Sequence, residues 1–207
     1  MESEEQVQLP APEVPLFSVP SIALASFLGG PLAAGWLIWA YNGLVRARNQ
    51  MREGWSGIEV QLKRRHDLVP SLVECVKGVQ AHEAELLEAV SRERSAAQAA
   101  SGAREAGGAE KTLGRDLGRV VALAEAYPEL QADEAFRGLM KDLVEIEDQI
   151  QFSRRYYNGS VRDLNNAVES FPTNLLARAF GFGSADFFEV ESASERIPPD
   201  LARGLRE

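Results

Sequence analysis

"QLKRRHDLVPSLVECVKGVQAHE", residues 61–83, decides the fold. Lys63, Arg64, Arg65 and His66 stand in a row, and Pro70 follows four residues after the histidine. A loop at the proline would reset the apolar phase. Positions 55, 62, 69, 76, 83, 90 and 97, with 58, 65, 72, 79, 86, 93 and 100, form a heptad seam in which eleven of fourteen residues are apolar. The seam passes Pro70 in register. It therefore predicts one helix from Trp55 to Ser101, kinked at the proline rather than ended by it. The polar interruptions of the seam are Arg65, Glu83 and Glu93.

Outward from this stretch, the chain reads as helix wherever it has a period. "SGAREAGGAE", 101–110, is rich in glycine and predicts a turn or loop. A shorter helix is expected from Glu110 to Ala126, stopping before Pro128. Asp133 then stands as the N-cap of a long helix in which positions 136, 143, 150, 157, 164 and 171 are all apolar. Heptad seams of this kind pack at shallow angles, as in antiparallel bundles. Phe180, Phe182, Phe187 and Phe188 are expected to cap the bundle end or to touch lipid. Nothing reads as strand. The expected class is all-α: a transmembrane helix followed by an elongated antiparallel bundle.

The anchor comes from charge. No charged side chain stands between Glu13 and Arg46, and about 20 apolar residues suffice to cross a bilayer as a helix. Trp36, Trp39 and Tyr41 sit where aromatic rings favour the interface. The start is acidic, which opposes a cleaved signal peptide. Arg46, Arg48 and Arg52 follow the span, so the positive-inside rule places the bulk of the chain in the cytoplasm and these arginines near anionic lipid. The organisation expected is an acidic, Pro-rich segment 1–19, an anchor 20–45, a helical domain 46–188 and a tail 189–207.

Composition narrows the function. The net charge of −9 argues against nucleic acid as a partner, because such binders need a basic footprint. A single cysteine, Cys75, excludes an internal disulfide and a cysteine-based zinc finger. It reads as a small core filler.

The stretch "YNGLVRARNQMREGWSGIEVQLKRRHDLVPSLVECVKGVQAHE", with "LAEAYPEL" and "RRYYNGSVRDLNNAVESFPTNLLARAFGF", resembles the LemA family over about residues 35–188. The resemblance implies a bacterial membrane protein with one N-terminal span and a helical domain. It brings no catalytic residues with it.

The residues themselves carry little chemistry. His66 and His82 lie about 24 Å apart on a straight helix, too far to share a metal. "HEAEL" lacks the second histidine of a zinc protease, since Leu86 stands in its place. Glu145, Glu147 and Asp148 lack the Glu-x-x-His pairs of a di-iron bundle. No nucleophile set or phosphate loop appears, so neither enzyme activity nor a cofactor is expected. Arg65, on the seam, is expected to be shielded and paired with Glu145, Glu147 or Asp148, while Lys63 and Arg64 are solvated. The rival reading makes Lys63, Arg64 and Arg65 one exposed docking patch. Two functions follow: a membrane-anchored scaffold or adaptor for other cell-envelope proteins, or a lipid-binding module that assembles on the membrane or shapes it. Either is compatible with homo-oligomers at the inner membrane.

Overall fold

The computed structural model describes the backbone of residues 19–79 and 84–189, with side chains for residues 30–77 and 84–189. The N-terminal segment 1–18, residues 80–83 with His82 and Glu83, and tail residues 190–207 lie outside the described residues. All regular elements among the described residues are helices: α1 Val19–Val79, α2 Ala84–Ala99, α3 Gly102–Glu125, α4 Pro128–Ala132, α5 Glu134–Glu169 and α6 Thr173–Ala179.

Two units are distinguished, Met1–Asn42 and Gly43–Glu207. In the first, α1 turns Leu32, Trp36, Leu37, Ile38, Trp39 and Tyr41 outward. Among the described residues no helix is long and apolar enough to cross a membrane. Side chains 20–29 of the expected span lie outside the described set, so the anchor rests on the sequence.

The second unit is an up-down-up-down bundle. Pro70 lies inside α1. The expected single helix from Trp55 to Ser101 is corrected: α1 ends at Val79, and α2 returns along it. Leu86, Leu87 and Val90 join Val69, Leu72 and Val76 in one apolar cluster. A chain reversal leaves the apolar count unchanged when both arms face the same core, so the heptad survived it. Glu83 was the one break in phase near the reversal.

The glycine-rich loop is also corrected. Helix α3 starts at Gly102, whose φ of 78° suits glycine, and it runs through Gly107 and Gly108. Glycine serves contact here: a Cβ on Gly107 would stand 2.8 Å from the carbonyl oxygen of Glu189. The end of α3 and Pro128 at the first turn of α4 follow proline's usual place.

Asp133 caps α5 by accepting a 2.8 Å hydrogen bond from the Phe136 amide. Helix α5 lies antiparallel to α1. Gly54 meets the Tyr157 backbone, where a Cβ would come within 3.1 Å of its Cα, and Arg65 reaches Glu147. Five of the six seam residues of α5 are buried: Phe136, Leu143, Ile150, Tyr157 and Leu164. The sixth is corrected. Phe171 is 79% exposed, because α5 stops at Glu169.

Beyond α6 the chain runs without regular structure from Phe182 to Glu189, and two asparagines of α5 hold it. Asn158 accepts from the Phe188 amide and donates to its carbonyl, at 2.9 and 3.1 Å. Asn165 does the same to Ala185, at 2.8 and 3.0 Å. The strap inserts Phe188, fully buried, against Trp55 with ring centroids 5.9 Å apart. Phe182 is buried on Leu44 and Ala177. Phe180 and Phe187 face outward. The four phenylalanines thus divide into two that close the bundle and two that do not.

Candidate functional site: a buried ionic centre

Helical phase carries Arg65 into the bundle, seven residues after the core residue Ile58. A guanidinium there needs carboxylates, since an unpaired buried charge is costly. Two helices supply them. The guanidinium lies 3.1 Å from Glu110 Oε2 of α3 and 2.9 Å from Glu147 Oε1 of α5. Gly114, one turn beyond Glu110, makes the space: a Cβ there would stand 2.7 Å from an Arg65 terminal nitrogen. His66 adds a second contact to the same carboxylate, its Nε2 lying 2.6 Å from Glu110 Oε1. Arg65, His66 and Glu110 are all buried.

The environment acts on Glu147. Desolvation raises its carboxyl above the ordinary value; Arg65 pulls it down in part, and Glu110 and Asp148 push it up again. Burial thus outweighs the attraction of the arginine, as it often does for buried ion pairs.

Pro70 belongs to the same centre. Proline has no amide hydrogen, so the carbonyl four residues earlier loses its helical partner. That carbonyl is His66, and Arg94 of α2 donates its Nε–H to it at 2.6 Å. The proline therefore opens an acceptor that ties α2 to α1.

Lys63 and Arg64 are exposed; Arg64 reaches only Gln61 of its own helix, at 3.5 Å. The three residues of the cluster are not one surface. The membrane-proximal set divides in the same way. Arg46 and Arg52 are exposed, while Arg48 is half-buried, its guanidinium carbon 4.6 Å from the centre of the Phe182 ring.

A cleft of about 450 Å³ opens between α3 and α5 above Arg65. Gly114 and Gly118 keep its α3 wall low, and Leu117, Leu143 and Val144 make it largely apolar. Arg65 contributes to its floor, with both terminal nitrogens already on carboxylates. No group of three or more His, Cys, Asp or Glu among the described residues is disposed to hold a metal ion. Burial pushes the Cys75 thiol up, with Asp133 and Glu74 adding to it, which makes thiolate scarce at neutral pH. The arrangement is chemically a lock: it joins three helices through one guanidinium.

Sequence reasoning missed Glu110, because the preceding glycines read as loop, and it missed His66 as a partner. It also missed the asparagine clamps. Their signal was present: Asn158 and Asn165 each follow a seam residue, seven apart.

Comparison with known proteins adds an independent line. The sequence model of the LemA family matches residues 54–202. This match starts later and ends later than the resemblance over 35–188, and it takes in the ionic centre and the strap. Among curated proteins, the magnetosome protein MamQ 2 of Paramagnetospirillum magneticum is 28% identical over 197 residues, covering 82% of this chain and 72% of that one. The magnetosome protein MamQ of Magnetospirillum gryphiswaldense is 27% identical with the same coverage.

Proposed function

The chain belongs to the LemA family, and from that premise we propose that it is a membrane-anchored helical scaffold that docks other cell-envelope proteins and performs no catalysis. The observation that carries this reading is the apolar exterior of α1. Six large apolar side chains from Leu32 to Tyr41 point outward, within a run that has no charge from Val14 to Val45. Water would cover such a surface at high cost; hydrocarbon covers it at none. Arg46 and Arg52, exposed just beyond the run, support an orientation with the bundle on the cytoplasmic side of the inner membrane. The bundle supplies the scaffold: a helical body held rigid by the Arg65 centre, with exposed faces for partners.

Alkaline carbonate extraction of cell membranes tests the reading. The full chain should remain in the pellet, and a chain lacking residues 1–42 should move to the supernatant while keeping its helical circular dichroism. Extraction of the full chain would overturn the anchor. Crosslinking in intact cells followed by mass spectrometry should then return envelope proteins on the full chain.

A further inference from the structure

We propose that α6 and the residues flanking it are a second membrane contact, an interfacial foot that lays Phe171, Leu175 and Phe180 into the headgroup region of the bilayer. The inference rests on the anchor reading above and adds a surface to it.

Helix α6 has a core side and an outer side. Ala177 is fully buried and packs on Leu44, with Leu176 and Val45 alongside. Leu175 in the helix, Phe171 just before it and Phe180 just after it are exposed by 58%, 79% and 58% respectively. Phe171 and Leu175 lie outside the apolar clusters of the bundle. Phe180 stands two residues before the buried Phe182, so the same short stretch both seals the bundle and presents an apolar face.

The occupant follows from what α6 rests on. Leu44 and Val45 are the last residues of the charge-free run, and Arg46 is the first charge after it. On the anchor reading, the chain leaves the hydrocarbon at these residues. A helix packed on Leu44 is therefore at the level of the interface, where aromatic and aliphatic side chains gain by partial insertion. Arg178, exposed in the last turn of α6, and Arg46 place positive charge beside the apolar face, which suits anionic headgroups.

The test uses the full chain in vesicles of phosphatidylcholine and phosphatidylglycerol. Single cysteines are introduced as Leu175→Cys, Phe180→Cys or, as a control, Phe152→Cys on α5, each with Cys75→Ala. Each is labelled with an environment-sensitive fluorophore. Lipids carrying a nitroxide at glycerol depth should quench the labels at 175 and 180 about threefold more than the label at 152. Carbonate extraction of the same vesicles separates the two readings. A chain extracted from the vesicles overturns both the anchor and the foot. A retained chain with equal quenching at all three sites overturns the foot alone. A retained chain whose 175 and 180 labels are blue-shifted yet unquenched by lipid also overturns the foot, and identifies a second copy of the chain as the cover.

Discussion

Two arginines of α1 occupy seam positions, and they are accommodated differently. Arg65 lies in the middle of the bundle, 3% exposed, and takes two carboxylates from two other helices. Arg48, seven residues before Trp55, lies near the bundle end, half-buried, and takes the face of Phe182. Depth explains the difference. In the middle, solvent cannot reach a charge, so protein must neutralise it. Near the end the side chain is only half-buried, and a ring face takes its guanidinium. Each basic cluster thus turns one arginine inward and leaves the others in solvent. The residue type does not decide the role; the heptad position and the distance from the bundle end do.

The largest effect separates these two arginines. Arg65→Ala leaves Glu110 and Glu147 without their shared cation, and breaking a buried pair costs about 3–5 kcal/mol. At about 2–4 °C per kcal/mol for a chain of this size, thermal melts of the full chain in mild detergent should fall by more than about 6 °C. A change within about 1 °C would mean that the centre carries no stability.

Next comes the carbonyl that Pro70 exposes. Arg94→Ala should cost about 1.5–3 kcal/mol, the usual range for a hydrogen bond to a charged group. The same substitution in a Pro70→Ala chain should cost much less, because the restored amide at position 70 takes the His66 carbonyl. Equal losses in the two backgrounds would show that Arg94 does not act through that acceptor.

A smaller effect is expected at the strap. Asn158→Ala removes two hydrogen bonds to Phe188, at about 0.5–1.5 kcal/mol each. Limited chymotrypsin digestion should cut after Phe187 or Phe188 faster in Asn158→Ala and Asn165→Ala than in the parent chain. Unchanged cleavage would mean that Phe188 burial alone holds the segment.

The smallest changes belong to the end arginine and the solvated pair. Arg48→Ala should cost about 0.5–1 kcal/mol, the value of a partly exposed cation–π contact. Lys63→Ala and Arg64→Ala should stay within about 0.5 kcal/mol. Three thermally silent variants at Lys63, Arg64 and Arg65, each weakened in partner capture, would restore the single docking patch.

The helical class, the cap at Asp133 and the passage of α1 through Pro70 were legible in the sequence, because each follows from local rules of period, capping and proline geometry. The reversal between α1 and α2 was not. Period reports which face is buried, and it stays silent on whether the chain has turned back onto the same core. The α3 glycines misled for a related reason. Glycine marks both a turn and a close approach, and only the neighbour at Gly107 or Gly114 distinguishes them. Arg65 declared itself through its heptad position. Glu110 did not, since its place depends on how α3 lies against α1. The apolar surface around α6 was visible as the phenylalanines that flank it, yet which of them face outward is set by the end of α5 at Glu169 and by the strap.

The central claim is that Arg65 and Glu110 act together as a lock between α1 and α3. A double-mutant cycle measures it most directly. Melts of Arg65→Ala, Glu110→Gln and the combined variant should show the pair losing less together than the sum of the single losses. The expected coupling is about 1–3 kcal/mol, within the range for residues in contact. Single losses that add to within about 0.3–0.5 kcal/mol would contradict the lock, and would return Arg65 to the surface cluster beside it.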